Sequence, residues 1–454
     1  MKYLNNINKK FFFLILVFLF LILLNQIYKS EYYYLGEKRK YFKNIFIFLV
    51  ILKIFIIFIL FSNKKISSYL TIFFFSSILS LYLFEGFLIY TYEGFLLEKK
   101  KKLFKEKTGN NYDTRTKFEV FNQLKKTSSI VVSIAPSYRL EYMSLDNELF
   151  PLSGISSSET LHCNENGYFS IYKSDRFGFN NPNDEWDKND IQYLLLGDSF
   201  VQGNCVNRPY DLGSILRNLS DKSVLNLGYS GNGPLFYLAT LKEYFKPNTK
   251  NVIWFHSEND LYNLERDLGS KTLKKYLEDN IFNQNLKNRQ NEIDEALLSI
   301  LNYQEEKEGK KQIEEQKEKD SKIYKIFKFI TIKNSRELFF KKFFYVEEKK
   351  KNFFLEFKNI LELTKNFTIE NKSNFYFVFL PSYERYIKMY DNYEIEYLEV
   401  LKIVGELEIN LIDLHKEFKK ETDPTKYFPF GLSGHYNENG YQKVGKIVFN
   451  EIKN

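Results

Sequence analysis

Tyr193-Leu194-Leu195-Leu196-Gly197-Asp198-Ser199-Phe200 is the stretch that decides the fold. An uncharged apolar run stops at a glycine, an acid and a hydroxyl, the pattern of a strand buried on both faces that turns into a helix. Similar short runs recur downstream at Val224–Leu227, Val252–Phe255, Phe375–Leu380 and Ile409–Ile412, with Gln192–Leu196 as the first of the set. Helical patterns such as Tyr210–Asn218 and Phe236–Tyr244 lie between them. Buried strands alternating with helices predict an α/β domain with a mostly parallel sheet. Ligands of such sheets bind at the carboxyl ends of the strands. Upstream, Ile130–Ile134 and Tyr168–Tyr172 read as strands, the second after an Asn164-Glu165-Asn166-Gly167 turn.

Outward from this domain the composition changes. The chain has 454 residues and a formal charge of +8. Residues 1–107 carry 17 Lys/Arg against 6 Asp/Glu, while the remainder carries 48 against 51. The basic excess therefore surrounds hydrophobic segments, and a faintly acidic soluble part argues against a nucleic-acid partner. The sequence divides into a membrane anchor at 1–107, a β-containing part at 108–190 and an α/β domain at 191–454. Within the last, residues 264–351 form an excursion from the sheet. Its Gln304–Lys322 stretch has seven acids and six bases around Ile313, which predicts a solvated helix or flexible insertion.

Three transmembrane helices are expected at about residues 11–28, 44–62 and 69–92. The second and third meet the ~20 residues needed to cross a bilayer, and the first is short. A signal peptide is the rival reading of the first run, because Lys9 and Lys10 precede a compact apolar core. Asn25-Gln26-Ile27-Tyr28 has no small-residue cleavage pattern, which favours an uncleaved helix. Lys53 is read as facing a neighbouring helix or snorkelling, and Glu85 as interfacial. The loop charges, five Lys/Arg on the N-terminal side against eleven on the other, place the C-terminal domain inside by the positive-inside rule. Lys9 and Lys10 ahead of a first helix that usually dominates insertion place it outside. The expectation is an extracytoplasmic domain.

Chemistry converges on the strand ends. Ser199 follows the first strand, at the start of a helix where its N–H faces outward. Gly228-Tyr229-Ser230-Gly231-Asn232-Gly233-Pro234 follows the second, and His256-Ser257-Glu258-Asn259-Asp260 the third. Gly434-His435-Tyr436-Asn437 stands near the C-terminus. A hydroxyl nucleophile, backbone and amide donors and an imidazole base are the equipment of acyl transfer. In this order the four blocks resemble the SGNH (GDSL-type) hydrolase superfamily. Gly178-Phe179-Asn180-Asn181-Pro182, with Gly-Asn-Gly-Pro later, resembles a bacterial membrane-anchored subgroup. The resemblance implies an SGNH-like three-layer α/β/α domain over about residues 190–450. It implies catalysis by Ser199 and His435, and an oxyanion hole from Ser199, Gly231 and Asn259. It also implies an acyl-ester substrate, with cell-envelope polysaccharide or lipid esters as the class, and no cofactor.

Two positions depart from that pattern. Ser257 replaces a glycine, and Leu432 stands three residues before His435, where the family carries its acid. A Ser199–His435 dyad, a distant acid such as Asp423, and a degenerate site are the three readings of that loss. An O-acyltransferase using the same serine, and a tethered binding protein without catalysis, are the alternative functions. His162, His256, His415 and His435 lack zinc-ligand spacing, so no metal is expected. His256 reads as structural and His415 as a surface residue. Cys163 and Cys205 flank the Ser199 block, and pairing in an oxidising compartment stands level with two buried thiols.

Overall fold

The structure is a computed structural model. It describes residues 2–33, 39–91, 95–134, 139, 149–320, 322–339, 353–387 and 392–453. Two compact units divide the chain. One holds residues 1–98 together with a second piece that begins at Ile313, and the other holds the rest. The 264–351 excursion is thus split. The helix Gln290–Asp320 starts in the soluble unit, and the division falls inside it at Gln312. The charged stretch is helical, as its composition suggests, but its continuation belongs with the apolar helices. Tyr92 and residues 340–351 lie outside the described residues.

In the first unit, α1 (Lys2–Tyr28), α2 (Arg39–Phe61) and α3 (Lys64–Thr91) are each long and apolar enough to cross a membrane. The first run is not short, because the helix continues past the apolar core in both directions. Phe12, Leu19, Leu23, Leu49, Ile56 and Ile59 pack between these helices, whereas most of their other apolar side chains face outward. Lys53 is turned toward α1, its Nζ 5.0 Å from the Phe20 ring centroid. Glu85, read as interfacial, is buried against a later segment of the chain and accepts hydrogen bonds from Asn334 and Ser335.

The second unit is built on five parallel strands: β4 (Ile191–Leu196), β5 (Val224–Asn226), β6 (Thr249–Ser257), β7 (Asn374–Leu380) and β8 (Asn410–Asp413). Their order is β5-β4-β6-β7-β8. All four pairings are parallel. Alternate side chains of β4 feed opposite cores: Leu194 and Leu196 join one, Tyr193 and Leu195 the other. Helices cover both faces. Pro234–Tyr244 and Phe354–Glu370 pack on the first, Leu212–Ser220 and Glu438–Lys453 on the second. This is the expected three-layer α/β/α domain. A small sheet of β1 (Ile130–Val132), β2 (Glu159–Leu161) and β3 (Ile171–Lys173) precedes it, with β2 central.

The strand order has a consequence for ligand position. After β4 the chain goes to β5 on one side and then to β6 on the other. The crevice beyond the carboxyl ends of β4, β5 and β6 is therefore the topological switch point, where doubly wound sheets bind ligands.

Candidate active site

Ser199 is the first residue of the helix Ser199–Gln202, directly beyond β4. Asp198 caps that helix, its Oδ1 accepting from the Phe200 N–H at 2.9 Å. Packing is tight underneath. Val201 lies so close to Gly197 and Gly228 that a Cβ at either would fall 2.2 Å or 2.5 Å from its side chain. Those two glycines let the Ser199 helix sit on the strand ends. Two asparagines hold the same helix laterally, and a third holds the strand beside it. Asn180 donates to Gln202 O at 2.8 Å and Asn226 to Val201 O at 2.6 Å, while Asn181 brackets β5 through Asn226. The Gly178–Pro182 motif is thus the brace of the serine turn.

The Ser199 Oγ lies 2.7 Å from His435 Nε2. A second donor, Asn204 Nδ2, faces the same nitrogen at 3.3 Å. On the other edge of the ring, His435 Nδ1 is 2.9 Å from Glu165 Oε1, and the His435 backbone N–H donates to Glu165 Oε2 at 2.6 Å. With both carboxylate oxygens accepting, Nδ1 carries the proton and Nε2 presents its lone pair to the serine. His435 also packs on Phe200, ring centroids 4.8 Å apart.

Glu165 thus occupies the place left open by Leu432. Asp423, the acid considered from sequence, is elsewhere: its Oδ1 caps the short helix Pro424–Tyr427, accepting from Thr425 N at 2.9 Å. A dyad without a carboxylate is not what the geometry holds either. The electrostatics follow the contacts. Burial alone would lower the His435 pKa, but the charge and hydrogen bond of Glu165 outweigh it and hold it above 6.5. Burial alone would raise Glu165, and the charge of His435 with its hydrogen bonds brings it below 4.5.

Gly231 and Asn259 both lie beyond strand ends of the switch point. Gly231, in the loop after β5, has φ +76°, a conformation open to glycine at little cost. Its carbonyl accepts from Arg266 Nη2 at 2.6 Å. Asn259 stands at the start of the helix Asp260–Asp267, and its Oδ1 accepts from the Ser257 hydroxyl. Ser257, the departure from the family glycine, also reaches Asp198 Oδ2 at 2.8 Å and Asp260 Oδ1 at 2.9 Å. One hydroxyl proton cannot serve three acceptors. Burial, then the Asp260 charge, pushes the Asp198 pKa up to about 6.

The other histidines stand apart. His256 is buried, 3.1 Å from Asp260. His415, expected at the surface, is buried against Tyr386 and Tyr397, and burial lowers its pKa to about 4. Among the described residues, one group of three metal-type ligands gathers, Glu165, Cys205 and His435. Cys205 is not available to a metal, because it is joined to Cys163.

That disulfide ties the turn carrying Glu165 to the segment following the Ser199 helix. Glu165 lies two residues beyond Cys163, and Asn204, beside Cys205, contacts His435. Asn166 Nδ2 reinforces the tie by donating to Cys205 O at 3.0 Å. With a sequence separation of 42 between the cysteines, the chain-entropy relation gives about 4 kcal/mol of stabilisation. Cys163→Ser/Cys205→Ser is expected to lower the melting temperature and to cut kcat by up to about 10²-fold through misplacement of Glu165. A thermal melt and an esterase assay under matched conditions check both.

No protein-family model matches the sequence. No curated protein matches it. Solved structures of the G-D-S-L lipolytic type are among those it resembles. A protein of the G-D-S-L lipolytic family from Desulfitobacterium hafniense is 13% identical, at TM-score 0.30 over 58% of this chain and 99% of its own. The lipase/acylhydrolase from Enterococcus faecalis is 16% identical, at TM-score 0.32 over 58% of this chain and 95% of its own. The protein YxiM from Bacillus subtilis is 12% identical at TM-score 0.32, and the match spans 56% of that chain. At such scores the likeness adds no weight to the geometry above.

Proposed function

We propose that this chain is a membrane-anchored serine ester hydrolase of the SGNH type. One observation carries the reading: a Glu165–His435–Ser199 hydrogen-bonded series at the switch point of a parallel sheet. His435 Nε2 takes the Ser199 proton as Oγ bonds to the ester carbonyl carbon. The carbonyl oxygen becomes an oxyanion, held by the N–H groups of Ser199 and Gly231 and the Asn259 amide. On collapse the carbon–alkoxy bond breaks and the alcohol leaves with the proton from His435. Water then adds to the acyl-enzyme, gives its proton to His435, and the acid departs as Ser199 regains its hydrogen.

The deciding experiment is labelling by a fluorophosphonate, which bonds an activated serine. Labelling of the wild type and none of Ser199→Ala is expected; equal labelling of both would end the reading. Asn259→Ala is expected to lower kcat by about 10²–10³-fold with little change in KM, as for loss of one oxyanion donor. Steady-state kinetics on a p-nitrophenyl ester separates the two parameters.

The substrate class proposed is an acyl ester of cell-envelope glycan or lipid, reached by a domain tethered beside a bilayer and lying outside the cytoplasm. The joined Cys163 and Cys205 support that side, since disulfides persist in oxidising compartments. Alkaline phosphatase fused at residue 120 is expected to be active, and a cytoplasmic fluorescent reporter at the same point dark. The opposite pair of results would place the domain inside.

A further inference from the structure

The segment that returns to the apolar unit forms two short helices, Lys322–Ile330 and Lys333–Phe339. Both are fastened to α3 through polar contacts. The Tyr82 hydroxyl donates to Ile330 O at 2.9 Å, and its ring lies 5.4 Å from that of Phe329. One turn further along α3, Glu85 caps the second helix. Its Oε1 accepts from Asn334 N at 3.0 Å, and its Oε2 from Ser335 N at 2.7 Å and Ser335 Oγ at 2.6 Å. A carboxylate facing a helix N-terminus is favourable by charge and geometry alike.

This attachment leaves an apolar side uncovered. Ile326, Phe327 and Ile330 share one helix face, at spacings of one and four residues, and are 58%, 62% and 59% exposed. Positions 325 and 328, both lysine, fall on the opposite side of the same helix by its 3.6-residue period. The exposed apolar surface does not end there. On α3, Leu79, Leu83 and Phe87 flank Tyr82 and Glu85 in sequence and are 61%, 67% and 59% exposed. They lie on a helix apolar enough to cross a bilayer. The two surfaces occupy the same level of α3.

We propose that the helix Lys322–Ile330 is an interfacial membrane helix, its Ile326–Phe327–Ile330 face seated in lipid beside α3 and its lysines at the headgroups. Amphipathic helices with basic polar faces lie in this way, the apolar face about 5–10 Å into the headgroup–acyl boundary. The lysines favour anionic headgroups. The occupant is lipid because the uncovered face continues the outward surface of a helix of membrane-spanning length and hydropathy. Fixation by Tyr82 and Glu85 makes the helix part of the anchor instead of an arm of the soluble domain.

The test uses the full chain in vesicles of phosphatidylethanolamine and phosphatidylglycerol. A nitroxide is attached at Phe327→Cys, and separately at Ile330→Cys; Cys163 and Cys205, being joined, do not react. Accessibility to oxygen is compared with accessibility to a water-soluble nickel chelate. Leu83→Cys is the lipid-facing reference and Ile281→Cys, 90% exposed in the soluble unit, the aqueous one. Oxygen accessibility severalfold above that of the chelate, as at Leu83→Cys, is expected at both positions. Chelate accessibility matching Ile281→Cys would overturn the proposal in favour of a solvated helix. Protection from both reagents would overturn it in favour of a protein occupant.

Discussion

Ser199→Ala is expected to lower turnover of a short p-nitrophenyl ester by about 10⁴–10⁶-fold, the range of nucleophile removal in serine hydrolases. His435→Ala should fall as far, and the double variant little further, because the two act as one unit. The residual rate belongs to binding and the oxyanion donors, which neither change touches. The fold should survive the serine change. The Ser199 Oγ meets His435 Nε2, and loss of one such bond costs about 1 kcal/mol. Unchanged circular dichroism with lost turnover is the expected pair. Wild-type hydrolysis by Ser199→Ala would mean that another group attacks the ester, and the switch-point site would lose its assigned nucleophile.

The fold was legible because its signals are local. Runs such as Tyr193–Leu196 are buried on both faces, so the apolar pattern and the parallel sheet have one cause. Ser199, Gly231 and Asn259 could be placed for the same reason, since each follows a strand whose carboxyl end is fixed by topology. Glu165 was not legible. It sits in a turn of the small sheet, and nothing in Asn164-Glu165-Asn166-Gly167 distinguishes a carboxylate aimed at His435 from one aimed at water. The signal that could have found it is the cysteine pair, because joining Cys163 to Cys205 brings residue 165 to the Ser199 helix. A short acid-to-histidine spacing was the wrong place to search. The burial of Glu85 was hidden for a related reason: its partners, Asn334 and Ser335, lie about 250 residues away. His415 reads as a surface residue because it follows Asp413 at a strand end, but the covering rings of Tyr386 and Tyr397 come from earlier segments.

Glu165→Gln is the change whose consequences the geometry defines most narrowly. Both Glu165 oxygens accept, one from the His435 backbone N–H and one from the Nδ1–H. A glutamine has one acceptor and one donor end. If its oxygen stays with the backbone N–H, its amide faces Nδ1 and forces the proton to Nε2, the tautomer that cannot receive the serine proton. A loss of about 10⁴-fold in kcat is expected, as where an amide replaces the triad acid. Asp423→Asn, tested beside it, should change kcat less than tenfold, since that carboxylate only caps a short helix. The pH dependence gives a second reading. Glu165 holds the His435 pKa above 6.5, so the acid limb of kcat/KM lies above pH 6.5 in the wild type and moves to lower pH in Glu165→Gln. Stability follows by linkage. The raised His435 pKa stabilises the fold fully below 6.5 and ceases to do so as pH rises through its folded value. The lowered Glu165 pKa stabilises it fully above 4.5 and ceases to do so as pH falls through its folded value. The melting-temperature deficit of Glu165→Gln is therefore largest between pH 4.5 and 6.5 and narrows toward either extreme. A deficit that does not vary with pH, or a rate equal to wild type, would remove Glu165 from the relay and return the site to a Ser199–His435 dyad.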